Sequence, residues 1–299
     1  MMEFKLGIDL GGTKTEVLVV DSSGESVYRQ RVATPAQSYD EILAMIVELV
    51  RQAETSLGHR SSVGIGIPGA LSPGSGLLRN SNTVCMNGRP FRDDLESRLE
   101  RDVRIENDAN CFALSEALGG AGRDYPVVFG VIIGTGTGGG LVVDGKLLNG
   151  PHAISGEWGH NPLPWQRSID GSPTCYCGKN ACIETFLSGP GLASSFERRF
   201  DESRSSEEIV AGAIAGDDAC DAMMTLYHEQ MARALAHLIN ILDPHAIVLG
   251  GGMSNIDSIY DKVPRLLADY VFSDFVATPI LRAERGDASG VYGAALLWA

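Results

Sequence analysis

Positive charge is scarce in this chain: 24 Lys and Arg stand against 38 Asp and Glu, a formal net charge of −14. Surfaces that track nucleic-acid phosphates or anionic lipids reward clustered Lys and Arg, so neither partner is expected. ATP stays compatible with an acidic chain, because backbone amides and a metal ion provide positive potential locally. Long apolar runs are also missing. The richest stretch, PVVFGVIIG, ends in glycines and falls well short of the roughly twenty apolar residues of a membrane span. At the start, MMEFKLGIDL places Glu3 and Lys5 where a signal peptide needs its apolar core, so the expectation is a cytoplasmic protein. Polar low-complexity tracts are absent, and nothing argues for disorder. Cysteine is limited to six residues, Cys85, Cys111, Cys175, Cys177, Cys182 and Cys220. Three of them crowd into the segment Cys175 to Cys182 of a chain without an export signal, which suggests a metal site more than a disulfide framework.

What is present is an α/β pattern written twice. The 299 residues, 44% hydrophobic, suffice for two ordinary domains with their own cores. KLGIDL and TEVLVV read as strands joined by the glycine turn GGTK, with β-branched residues in period-two alternation. SVYRQRV follows as a third strand. From Tyr39 to Leu57 the residues Ile42, Ile46, Leu49, Val50, Ala53 and Leu57 fall on one helical stripe, and VGIGIPG then reads as a buried strand. The second half repeats the order: VVFGVII, the turn GTGTGGG, LVV, the turn Asp144-Gly145, a short strand KLL, a helix with Met231, Leu235, Leu238 and Leu242 on one face, and AIVLGGG. Duplicated β-β-β-α-β halves imply two lobes with a cleft between them. The spacing places residues 1–119 with a C-terminal helix over 286–299 in a small lobe, and residues 120–285 in a large one.

Three glycine turns end buried strands. Gly11 and Gly12 permit angles and approaches that a Cβ blocks, so that N–H groups can face phosphate oxygens, with Thr13 and Lys14 adding a hydroxyl and a cation. A plain hairpin is the alternative. Asp9 beside the turn favours the phosphate reading, as an outer ligand for Mg²⁺. The turn Gly134-Thr135-Gly136-Thr137-Gly138-Gly139 satisfies G-x-G-x-x-G, but it leads into a strand, whereas a dinucleotide fingerprint opens a helix. No G-x-x-x-x-G-K-[ST] occurs. What remains is a pair of phosphate-binding hairpins. The third turn, Gly250-Gly251-Gly252, reads either as a tight strand-to-helix connection or as room for a nucleoside near a helix N-terminus.

Asn107-Asp108-Ala109-Asn110 stands at a strand-to-helix junction, where an Asp is commonly a helix cap. In a phosphoryl transferase the same carboxylate is the best-placed acceptor for a hydroxyl proton. His160 together with Cys175, Cys177 and Cys182 matches a closed tetrahedral zinc site, which fixes the loop carrying Glu157 and Glu184 and leaves no position for activating water.

Assembled in this order, GIDLGGTK, ENDAN, IGTGTGGG, GEWGH, CYCGKNACIE and LGGGMS closely resemble the ROK family, bacterial sugar kinases of the actin-like ATPase (ribonuclease H-like) fold. The resemblance runs nearly end to end. It implies that Asp108 is the catalytic base, that His160, Cys175, Cys177 and Cys182 bind Zn²⁺, and that Asn82, Asn107, Asp108, Glu157, His160 and Glu184 hold the sugar. ATP, with Mg²⁺, falls to Gly7, Asp9, Gly11, Gly12, Thr13 and Lys14, to Gly134, Thr135, Gly136, Thr137, Gly138 and Gly139, and to Gly251 and Gly252. Family members usually carry glycine before the third cysteine; Ala181 here bears only on the local turn. GEWGHNPLPW and NSNTVCMNGRPF look most like members that phosphorylate fructose at its primary hydroxyl, while glucokinases, mannokinases and N-acetylhexosamine kinases share most of the site. A homodimer is implied as well. Family repressors carry a DNA-reading helix-turn-helix ahead of the first hairpin, and at Gly7 this chain is already inside that hairpin. A filament or chaperone ATPase of the same fold is disfavoured by the sugar-site acid and the zinc loop.

Overall fold

The computed structural model describes residues 4–299. They form two compact units: residues 4–120 with Gly145–Ser155 and Arg285–Ala299, and Ala121–Asp144 with Gly156–Glu284. Residues 145–155, placed with the large lobe in the sequence reading, pack with the first unit. Arg79 donates to the His152 carbonyl at 2.7 Å and Asn149 to Glu106 at 2.7 Å, ties between remote segments that no local pattern announces.

In the first unit, β1 (Lys5–Leu10), β2 (Lys14–Val20) and β3 (Ser26–Ala33) form an antiparallel meander. Helix α1 (Tyr39–Leu57) follows, capped by Ser38, which accepts from the Glu41 N–H, and stopped by Gly58 at φ 72°. Its buried stripe, Ile42, Ile46, Leu49, Val50 and Ala53, joins the core under the sheet. Next come β4 (Ser62–Ile67), the short hairpin of β5 (Ala70–Leu71) and β6 (Leu78–Arg79), α2 (Phe91–Leu99), β7 (Val103–Asn107) and α3 (Asp108–Gly119). Sheet order is β3-β2-β1-β4-β7, with β1, β4 and β7 parallel.

The second unit repeats this plan. β8 (Val127–Ile133) and β9 (Thr137–Val143) are antiparallel, and the turn after β9 holds Asp144 at φ 47° and Gly145 at φ 75°. β10 is only Lys146–Leu147 and lies in the segment that packs with the first unit. After α4 (Glu184–Leu187), α5 (Gly189–Phe200) and α6 (Ser206–Ala215), the 25-residue α7 (Asp218–Leu242) leads through Asp243, at φ 43°, into β11 (Ala246–Gly250), which lies parallel to β8. α8 (Asp257–Leu267) and β12 (Ile280–Arg282) complete the sheet, β12 parallel to β11. Thus β2-β1-β4-β7 and β9-β8-β11-β12 share one topology. Among the described residues no helix is long and apolar enough to cross a membrane.

The last helix, α9 (Ser289–Leu296), returns to the first sheet. A Cβ on Gly7 would lie 2.2 Å from the Val291 carbonyl oxygen, and one on Gly64 would lie 1.9 Å from that of Ala294. Gly7 therefore serves helix-on-strand packing.

Candidate functional site

Each unit presents a glycine hairpin at the end of its central strand. In the first, the Gly11 N–H donates to the Lys14 carbonyl at 3.0 Å and the Thr34 hydroxyl donates to the Gly11 carbonyl at 2.8 Å, which fixes the turn. Thr13 and Lys14 are exposed. Gly12 faces open space bounded by Thr83 and Asn82, whose Oδ1 would lie 3.9 Å from a Cβ added there. Asn82 is exposed on a turn that Asn87 holds at two points, accepting from the Ser81 N–H and donating to the Ser81 carbonyl, both at 2.9 Å. Sequence reading passed over Asn87, because a lone Asn in a loop gives no periodic signal.

At the end of β7, Asn107 caps α3 and accepts from the Ala109 N–H at 2.9 Å, while its amide donates to the Gly69 carbonyl at 3.1 Å. The cap is thus Asn107, and Asp108 is the first helical residue. Burial pushes the Asp9 carboxyl up to about 6, with further contributions from the Asp108 and Glu16 charges against an opposing Arg31. Glu16, opposite Asp9 in register, is satisfied by Arg29 and Arg31 and held below its ordinary value despite its burial. Asp9, unlike Glu16, forms no salt bridge among the described residues, and a site of crowded carboxylates suits a divalent ion. The folded Asp9 keeps its proton up to about pH 6 and the unfolded one only to 3.8. This group therefore favours the fold below pH 4, and that contribution is lost as pH rises through 6. Without divalent ions, Asp9→Asn is expected to raise stability at pH 8 by roughly 1–3 kcal/mol, vanishing near pH 4, as thermal melts across pH will show.

In the second unit only Gly134, Thr135 and Gly136 form the turn; Thr137, Gly138 and Gly139 already pair with Ile133, Ile132 and Val131. The long glycine turn read from sequence is corrected: Gly139 belongs to the strand, where a Cβ would meet the Gly130 carbonyl and the Phe129 ring at 2.8 Å. Glu184 accepts from the Thr137 N–H at 2.9 Å, and Gly189, at the start of α5, donates to the Gly134 carbonyl at 2.9 Å. Ser188 caps α5, accepting from the Gly191 N–H at 3.0 Å. Gly251, at φ 82°, packs on the Ile133 carbonyl, and Gly252 faces open space. A helix N-terminus and two open glycine turns gathered in one unit suit an anionic ligand.

His160, Cys175, Cys177 and Cys182 come together with all four donor atoms within 4.8 Å of one another. Cys175 Sγ lies 3.7 Å from His160 Nδ1, and Cys177 Sγ lies 3.6 Å from Cys182 Sγ. Those separations match the edge of a tetrahedral thiolate site, about 3.8 Å for metal–sulfur bonds of about 2.3 Å. Burial raises the Cys175 and Cys182 thiols, so metal uptake displaces protons. Glu157, exposed, leads into the short turn that carries His160. The loop beyond His160 is pinned by a fully buried ion pair. Arg233 on α7 donates twice to Asp170, at 2.9 and 2.8 Å, and also to the Trp165 carbonyl. Ala181 sits at φ 55° and is 3% exposed, which explains why glycine suits this position. Ala181→Val is expected to cost about 1–3 kcal/mol and to loosen the metal, whereas Ala181→Gly stays within about 1 kcal/mol, both read by melting and metal analysis.

Two α/β units of one topology, each with a glycine hairpin, define a duplicated nucleotide-binding fold of the actin-like ATPase class. The ROK family model matches residues 5–299, and the chain belongs to the ROK family. It is 42% identical over 296 residues to an N-acetyl-D-glucosamine kinase of Pectobacterium atrosepticum, covering 97% of each chain. It is 41% identical over 300 residues to one of Pasteurella multocida, covering 98% of this chain and 99% of that one. Among solved structures, the ROK hexokinase from Thermus thermophilus superposes with a TM-score of 0.88 at 30% identity, over 98% of this chain and 97% of that one. A ROK family glucokinase from Streptomyces griseus in complex with glucose and AMPPNP gives 0.76 at 28% identity, with 99% of each chain covered.

Proposed function

We propose that this chain transfers the γ-phosphoryl group of ATP to the primary hydroxyl of a hexose. The observation that carries the reading is the repeated glycine hairpin, one beside Asp9 and one beside the start of α5, in a chain whose relatives at about 42% identity are named sugar kinases. In this reading Gly11–Lys14 and Gly134–Thr137 hold the phosphates, and Gly252, on a turn shaped by Gly251, leaves room for the nucleoside. Asn82, Asn107, Glu157, His160 and Glu184 hold the sugar. Asp108 accepts the hydroxyl proton as that oxygen bonds to the γ-phosphorus and the bond to the ADP oxygen breaks. Asp9 fits a Mg²⁺ ion, which would neutralise charge developing on the phosphate oxygens. The three thiolates and one imidazole suit Zn²⁺, with no coordination position left for water, so the metal's role is to fix the loop of Glu157 and Glu184. A cytoplasmic homodimer belongs to the same proposal, on family resemblance.

The relatives' names put N-acetyl-D-glucosamine first among substrates, ahead of the fructose suggested by GEWGHNPLPW and NSNTVCMNGRPF. Fructose is kept as the second reading because those segments lie along the proposed sugar-binding residues. Steady-state kinetics with N-acetylglucosamine, glucose, mannose and fructose discriminate the two. The proposal expects one preferred sugar, N-acetylglucosamine, by about tenfold or more in kcat/KM, equivalent to about 1.4 kcal/mol. A tenfold preference for fructose would reverse the order of the two readings.

A further inference from the structure

Tyr176 stands between two of the metal-ligating cysteines and belongs to none of the roles above. It is 83% exposed, so it contributes little to the core, and its side chain is not one of the four metal donors. Its hydroxyl nonetheless lies 3.0 Å from His160 Nε2, and its ring stands at 86° to the imidazole with centroids 5.2 Å apart. Because Nδ1 faces the metal donors, Nε2 is left as the protonated nitrogen and donates to the Tyr176 oxygen. The phenolic proton then remains for another acceptor. His160 is itself one of the proposed sugar-binding side chains, so the phenol stands beside that site.

We propose that Tyr176 is a specificity-determining contact of the sugar site: its exposed ring packs on the apolar C–H face of the hexose, and its hydroxyl, which occupies His160 Nε2 until a sugar hydroxyl takes that place, stays at the edge of the bound sugar. Sugars present such alternating apolar faces and hydroxyl edges, and an amphipathic ring with one polar tip matches both. The flanking cysteines hold the backbone, so the side chain here can set substrate choice without disturbing the metal knuckle. The inference rests on the kinase reading.

Zinc-loaded, full-length Tyr176→Ala and Tyr176→Phe test it. Tyr176→Ala should raise the sugar KM by about tenfold and change the kcat/KM ratio between N-acetylglucosamine and fructose by about fivefold or more, with the ATP KM and metal content unchanged. Tyr176→Phe should fall between it and wild type. Unaltered sugar KM and ratio in Tyr176→Ala, or loss of metal as the cause of any change, would overturn the proposal. If wild-type protein phosphorylated no hexose, the kinase reading would fall by itself, and calorimetric titration with the same two sugars would still decide: weaker binding to Tyr176→Ala supports the contact, while equal or absent binding to both proteins rejects it.

Discussion

Asp108→Asn is expected to lower kcat by about 10² to 10⁴ at saturating sugar and MgATP while leaving the protein folded. The carboxylate is asked to take the proton of the attacking hydroxyl, a task an amide cannot perform. Ground-state sugar affinity should fall only modestly, because Asn82, Asn107, Glu157, His160 and Glu184 remain. The structure sharpens this expectation: the Ala109 N–H is already held by the Asn107 side chain at 2.9 Å, so α3 keeps its cap in the variant. If Asp108 merely supported the helix, the substitution would cost at most about 1 kcal/mol of stability and almost no rate. A kcat within about fivefold of wild type, with unchanged melting temperature, would remove Asp108 from the chemistry and leave Glu157 as the next carboxylate to test.

Removing the metal is expected to have an effect of similar size through a different route. The protein should carry close to one zinc per chain, and Cys177→Ser should lose it together with most activity. Cys177 is exposed while Cys175 and Cys182 are buried, so this substitution takes away one donor without opening a cavity in the core. Zinc-site energies in small domains reach about 10 kcal/mol, but here a core of Phe186, Leu187 and Leu192 adjoins the knuckle, so the fold should survive and the loss should concentrate in sugar KM and kcat. Elemental analysis alongside kinetics checks this, and full activity in metal-free protein would contradict it.

Local patterns carried much of the architecture. The 3.6-residue stripe from Ile42 to Ala53 gave α1 with its ends, because it is a short-range consequence of one buried face, and β-branched residues about a glycine turn gave the first hairpin, although β2 is buried on both faces, Val17 and Val19 in the core under the sheet and Leu18 and Val20 against Val291 and Ala295. The cluster of His160, Cys175, Cys177 and Cys182 was legible because Cys is rare in the chain and three fall close together. Long-range features were not legible. Gly7 looked like part of a phosphate loop; its real constraint is a helix formed near the other end of the chain. Gly138 and Gly139 looked like turn residues, yet a strand can hold glycines where the Phe129 ring crosses it. The Asp170–Arg233 pair joins a loop to the middle of a long helix, and in sequence each reads as an ordinary surface charge.

The proposed activity is hexose-dependent phosphoryl transfer from ATP. Its most direct test is ADP release by the zinc-loaded protein with Mg²⁺ and each of N-acetylglucosamine, glucose, mannose and fructose, with the product's phosphorus position read by NMR. The expected result is ADP release that requires one of these sugars and is matched mole for mole by a sugar 6-phosphate. ADP release indifferent to every sugar, or none at all from protein with its metal in place, would contradict it.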